Sequence, residues 1–188
     1  MFQENLTSFT YELLPADGFC GERHARRYNA ALNRFRSMLR RGNLSRLKNR
    51  LMHRPERLYD LDALKPCMSL RGSSYAGIQV VQISAITGTE GKTAEFDMGF
   101  HPLREESRER WVGLAMAYLS RLPLPPIHLV QIGDVYFVRD GHHRVSVSRA
   151  FGQISMDAEV IAWQAAPPFP WQAKSVRPLV VRKLDPST

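Results

Sequence analysis

Apolar residues recur at three- and four-residue spacing at Tyr28, Ala31, Leu32, Phe35, Met38 and Leu39. That period lines one side of a helix and predicts a helix from Glu22 with a single buried stripe. Gly42-Asn43 is its expected stop. A second short helix is expected from Ser45, with Leu47 and Leu51 inward, closing before Pro55, because the residue before proline is pushed out of the helical region. Asp60 to Leu64 reads as a further turn, and Arg71 to Gly77 as a loop or linker. The β-branched run Ile78 to Ile83 predicts a strand.

Pro102 to Arg121 predicts a helix on which Trp111, Leu114, Ala115, Tyr118 and Leu119 share a face. Leu122-Pro123-Leu124-Pro125-Pro126 stops it, since proline lacks an amide donor. Two strands, Ile127 to Gln131 and Val135 to Val138, follow as a hairpin about Ile132-Gly133-Asp134. Beyond Arg139-Asp140-Gly141 a short helix runs to Phe151, with Gly152 as its C′ residue, and Met156 to Ala162 is one more strand. The tail from Ala165 is Pro-rich, with Leu179-Val180-Val181 as a last extended piece. The fold class expected is α/β, a small mixed β-sheet flanked by helices, with a basic helical extension at the N-terminus.

Composition fits a folded domain, with 44% hydrophobic and 23% charged residues. The start at Met1 to Leu6 has neither a basic nor a continuous apolar character, so it does not read as a secretory signal. No apolar run is long enough to cross a bilayer, so a soluble, cytoplasmic protein is expected. Cys20 and Cys67 read as two ordinary thiols. Charge changes the picture more. Residues 21 to 57 hold twelve Lys/Arg against Glu22 and Glu56, a segment charge of +10 in a chain of net +8. Such a segment attracts polyanions through counterion release, whether nucleic acid or an anionic membrane surface.

The chemistry concentrates at Asp140-Gly141-His142-His143-Arg144. A strand, a glycine turn and a helix start make an anion site, because the first helical amides lack acceptors and the aligned peptide dipoles are positive there. Gly141 allows close approach of a ligand to the backbone. Arg144 offers a phosphate two parallel donors, and His142 and His143 add donors or an acid/base pair. A second reading stands beside this one: Asp140 is the N-cap, its carboxylate taking the same amides. A metal site is not expected, because adjacent histidines point different ways on a helix and no further His or Cys stands at ligand spacing.

The run from Leu124 to Val160, with Gly133 to Val147 at its centre, resembles the ParB/sulfiredoxin superfamily. More closely it is similar to ParB-like bacterial proteins that carry a DGHHR box. In those an Arg-rich helical region precedes a strand, an FD-x-x-F-x-P element and an R-x-R-W helix, and this chain has Phe96-Asp97-Met98-Gly99-Phe100-His101-Pro102 and Arg108-Glu109-Arg110-Trp111 in that order. The resemblance spans roughly residues 20 to 163. It implies a ParB/sulfiredoxin-like domain over 75–163, after a basic extension over 1–70 and before a Pro-rich tail over 164–188. In sulfiredoxins the box is Gly-Cys-His-Arg, with a nucleophilic cysteine where this chain has His142, so sulfiredoxin chemistry is not implied. In ParB proteins it is Gly-Glu-Arg-Arg, which holds CTP phosphates.

The resemblance therefore implies a nucleoside triphosphate, ATP or CTP, with or without Mg²⁺. Gly141, His143 and Arg144 would hold phosphates, and Asp140 or His142 would act as base or metal-side ligand in hydrolysis or phosphoryl transfer. The loop Thr87-Gly88-Thr89-Glu90-Gly91-Lys92-Thr93 is not a Walker A loop, because its two glycines stand too close together. In the superfamily that loop faces the same cleft, so Lys92 and the hydroxyl of Thr89 or Thr93 are further phosphate contacts, with a plain surface loop as the other reading. The alternative function is a DNA-associated accessory module that binds through residues 21 to 57 without catalysis.

Overall fold

The computed structural model describes residues 20–52, 58–167, 169 and 171. Helix α1 runs over Cys20–Leu51, strand β1 over Tyr59–Asp60, helix α2 over Leu61–Leu64, and β2 over Leu70–Gln82. Then come β3 (Ile86–Thr89), α3 (Arg108–Leu119), β4 (Ile127–Ile132), β5 (Val135–Asp140), α4 (His142–Ala150) and β6 (Ser155–Ala165). The six strands form one mixed sheet in the order β1-β3-β5-β4-β6-β2. β1, β3 and β5 run parallel, β4 returns antiparallel as the predicted hairpin, β6 lies parallel to β4, and β2 closes the edge antiparallel to β6. The α/β reading with a small mixed sheet flanked by helices therefore holds.

Alternation along the central strands divides the core. One face of the sheet packs Ile127, Leu129, Val138 and Val160 with Phe96, Phe100 and Val145. The opposite face packs Val130, Ile132 and Phe137 with Leu61 and Met68. A third cluster joins the helices: Ala31, Phe35 and Met38 of α1 meet Trp111, Val112 and Ala115 of α3, and Val147 and Ala150 of α4. The basic helix thus shares a core with the sheet domain. Trp111 also donates its indole N–H to Ser146 Oγ at 2.9 Å, fixing α3 against α4.

Four local expectations need correction. α1 does not stop at Gly42 but continues as one helix to Leu51, so no second helix starts at Ser45. Gly42 is there for close approach: a Cβ on it would lie 2.9 Å from the Pro102 carbonyl oxygen and 3.1 Å from His101 Cβ. Beyond that contact the helix leaves the domain, so Leu47 and Leu51 are exposed rather than inward. Residues 71–77 form no linker; they extend β2, whose pairing with β6 absorbs irregularities between Leu70/Gly72 and Tyr75/Gly77. The helix predicted over Pro102 to Arg121 begins only at Arg108, after a 3₁₀ turn at Glu105–Ser107. The expectation for Leu179 to Val181 lies outside the described residues.

The Gly/Thr-rich loop is also partly strand. Gly88 sits in β3 between β1 and β5, where a Cβ would lie 2.1 Å from Phe137 Cδ1 and 2.9 Å from the Tyr59 carbonyl oxygen. Its lack of a side chain serves sheet packing. No helix of the described residues is long and apolar enough to cross a membrane.

Candidate functional site

β5 ends at Asp140 and α4 begins at His142, so Gly141 alone makes the turn from strand to helix. It does so at φ 95, in the left-handed region, and a Cβ would lie 2.5 Å from Ile127 Cγ2. Only glycine meets both conditions. Among the described residues no side chain caps the helix start. Asp140 is therefore not the N-cap, and the amides of His142, His143 and Arg144 have no acceptor within their own helix.

Asp140 is occupied elsewhere. Arg144 Nη2 donates to Asp140 Oδ2 at 2.7 Å, and Arg144 Nη1 donates to the carbonyls of Pro125 at 2.6 Å and Pro126 at 2.7 Å. The arginine is 6% exposed. The expected arrangement, in which its guanidinium reaches back to a phosphate, is not the one these contacts make: Arg144 ties the proline segment before β4 to the β5–α4 turn. Proline explains the demand, since Pro125-Pro126 offers carbonyls with no neighbouring amide to exchange them with.

His142 and His143 are both buried. His142 Nε2 is 2.6 Å from the hydroxyl of Thr89, which is itself buried in β3. Phe96 stacks on the His142 ring and meets the His143 ring edge-on, with centroids 6.0 and 5.2 Å away. His143 Nδ1 is buried with no hydrogen-bond partner among the described residues. Burial holds the His142 imidazole down to about 4, helped by Lys92, while Asp140 pulls the other way. Burial likewise holds His143 down to about 3, with Arg110 and Lys92 adding repulsion. Both rings are neutral at pH 7. Lys92, from the loop after β3, and Arg110, from the first turn of α3, thus direct positive potential at the same helix start.

Lys92 is half-exposed, 3.5 Å from Glu95, and Thr93 is half-buried beside it. Arg110 is exposed and makes no hydrogen bond or ion pair among the described residues. The loop is held from its other side, where Glu90 accepts from Arg139 at 2.7 Å and from Lys65 at 2.9 Å. The sequence singled out the box and Lys92 but passed over Arg110 as a functional group. Its signal was the R-x-R-W element, which places Arg110 one residue before the buried Trp111. Among the described residues no group of three His, Cys, Asp or Glu side chains is placed to hold a metal ion.

Two outcomes follow from these contacts. Arg144→Ala strips two carbonyls and a carboxylate of a charged donor, and should lower unfolding free energy by about 2–3 kcal/mol, read from the denaturation midpoint. The histidine pair acts on pH dependence. Each folded value lies below the ordinary 6.5, so the unfolded chain takes up protons first as pH falls. The stability gained from neutral rings is complete above 6.5 and drains away as pH falls toward 4 for His142 and 3 for His143. His143→Gln should therefore lose stability less steeply than wild type over that window in denaturation series at stepped pH; identical slopes would contradict the assignment. Comparison of the chain with protein-family models, curated proteins and solved structures finds no match, and the chemistry of the site rests on its own geometry.

Proposed function

We propose that the start of α4 binds the phosphate group of a nucleotide. The observation that carries this reading is a helix N-terminus with no side-chain cap in the field of two cations, Lys92 and Arg110, that also act on His142 and His143. Backbone donors, the helix dipole and two nearby positive charges are the ingredients of a phosphate site. In this reading the amides of His142, His143 and Arg144 are the cradle, and Gly141 makes the left-handed turn that presents them. Lys92 and Arg110 supply the charge that Arg144, tied to Asp140, does not. Thr93 is close enough in sequence to Lys92 to add a hydroxyl. The resemblance of the box to ParB/sulfiredoxin proteins supports ATP or CTP as the ligand class, with or without Mg²⁺. Hydrolysis or phosphoryl transfer would need a base at the bound phosphate. Of the two groups named for it, His142 is engaged by Thr89 and Asp140 by Arg144, so binding without turnover is the better-supported form.

Titration calorimetry with a panel of nucleoside triphosphates, with and without Mg²⁺, tests this. We expect saturable binding that weakens by about tenfold for Lys92→Ala or Arg110→Ala, the loss of one charge-assisted contact. Burial is the main cause that keeps the imidazoles neutral, and repulsion from Lys92 and Arg110 adds to it; a bound anion offsets the repulsive part, so protons are taken up on binding. Affinity should then rise as pH is lowered from neutral toward the free-state values of about 4 and 3. Absence of saturable binding, or binding indifferent to both variants, rejects the site.

A second reading has its own observation. Arg23, Arg26, Arg27, Arg36, Arg40, Arg41, Arg46, Lys48 and Arg50 are exposed along α1, and among the described residues they form a single ion pair, Arg26 with Glu22 at 3.4 Å. At 1.5 Å per residue this helix is about 48 Å long, a nearly uncompensated positive rod suited to a nucleic-acid backbone. Reversing Arg36, Arg40 and Arg41 to glutamate should abolish DNA binding in an electrophoretic shift assay. Wild-type log affinity should fall linearly with log salt, by about 0.9 per phosphate neutralised.

A further inference from the structure

A second group of chemically capable side chains lies away from the start of α4. Asp97 is 1% exposed and is the centre of a tightly organised turn. Its Oδ1 accepts from the amides of Gly99 at 2.9 Å and His101 at 2.8 Å, and its Oδ2 lies 2.9 Å from His101 Nδ1. The backbone closes the same turn, with Phe100 N–H donating to Asp97 O at 2.9 Å and Asp97 N–H to His101 O at 3.2 Å. A carboxylate on Nδ1 fixes the orientation of the ring and leaves Nε2 as its outward-facing polar atom.

The turn is built at some conformational cost. Phe100 sits at φ 56, the left-handed region that non-glycine residues avoid, and it is buried. Gly99 leaves room for the imidazole, since a Cβ there would lie 2.6 Å from His101 Cε1. Strain held in place by several contacts is a feature of sites more than of ordinary loops.

His101 borders a cavity of about 230 Å³ between α1, the last turns of α4 and this loop. Arg34, Arg41 and Arg149 also line it, and no carboxylate among the described residues does. Arg149 is held by main-chain carbonyls, donating to Ile83 O at 2.8 Å and Ile86 O at 2.9 Å, and lies over the Phe100 ring at 4.9 Å. Arg34 donates to Ala150 O at 2.8 Å, which neutralises the negative end of α4 toward the cavity. Arg41 makes no hydrogen bond or ion pair among the described residues. Three guanidinium groups therefore line one space, and Asp97, the carboxylate that acts on Arg149, is already engaged by His101.

We infer that this cavity binds a small phosphomonoester, with Arg41 and His101 Nε2 as its direct contacts and Asp97 as the residue that positions the imidazole. Three guanidinium groups around one space match a dianion better than a single carboxylate. The volume is below the roughly 300–1,000 Å³ typical of drug-sized ligands, which sets the size as a phosphate group with a short organic remainder. The site is separate from that at the start of α4, and neither proposal depends on the other.

The test follows the His101 ring signals by NMR on the full chain during titration with glycerol phosphate, and then with acetate. We expect saturation by the phosphomonoester, weaker binding of acetate, and an affinity loss of about tenfold in Arg41→Ala, an exposed position where folding is not at stake. His101→Gln should lose affinity similarly, and Asp97→Asn should change the ring signals before any ligand is added. Lys92→Ala and Arg110→Ala should leave this binding unchanged. No saturation at millimolar phosphomonoester, acetate binding as tight as the phosphomonoester, or full affinity retained in Arg41→Ala overturns the inference. Loss of binding in Lys92→Ala with Arg41→Ala unaffected overturns it too, because it would move the phosphate to the other site.

Discussion

The turn at Gly141 constrains everything that follows it. A strand running into a helix through one residue needs a left-handed backbone there, and the methyl of Ile127 lies where a Cβ would go. With residue 141 fixed, His142 is directed at Thr89 in the neighbouring strand and Arg144 falls one turn on, within reach of Asp140 and the two proline carbonyls. The arginine then closes the junction from below. Its charge is spent on architecture, and the amides ahead of it carry no side-chain cap.

This division of labour explains an unusual electrostatic pairing. Two adjacent histidines are buried at a point where Lys92 and Arg110 already make the potential positive, so protonation is resisted from two directions, by lost hydration and by like charge. A fold gains nothing in stability from gathering cations around a helix N-terminus, whose dipole is itself positive. An arriving anion relieves all of these repulsions together. The basic helix α1 is a different kind of feature: its charges lie on an exposed surface, in contact with solvent, and suit a diffuse polyanion more than a small ligand.

Much of the architecture was legible in the pattern of the chain. The hairpin and α4 are bounded by residues with strong local preferences, Gly133 at φ 60 and Gly152 at φ 76, and these are conformations that sequence reads well. Gly42 misled because glycine has two uses, as a helix stop and as a place of close contact, and only the contact with His101 and Pro102 tells them apart. Residues 71–77 look like a linker because serine and glycine favour loops, whereas the pairing of Gly72, Ser73, Ser74, Tyr75 and Gly77 with β6 makes the segment strand. At the site, the box and Lys92 were visible as residue types. The direction of Arg144 was not, because it depends on carbonyls eighteen and nineteen residues earlier. Asp97 and His101 stand four positions apart in one motif, but their pairing depends on the turn through Gly99 and Phe100, which residue types alone do not show.

The central claim is that the first amides of α4 receive a phosphate. Backbone NMR of the isotopically labelled protein during titration with ATP or CTP reads those amides directly. The account predicts that His142, His143 and Arg144 N–H signals shift downfield and saturate together, at one affinity. Saturation confined to signals of α1, with those three amides unmoved, would contradict it.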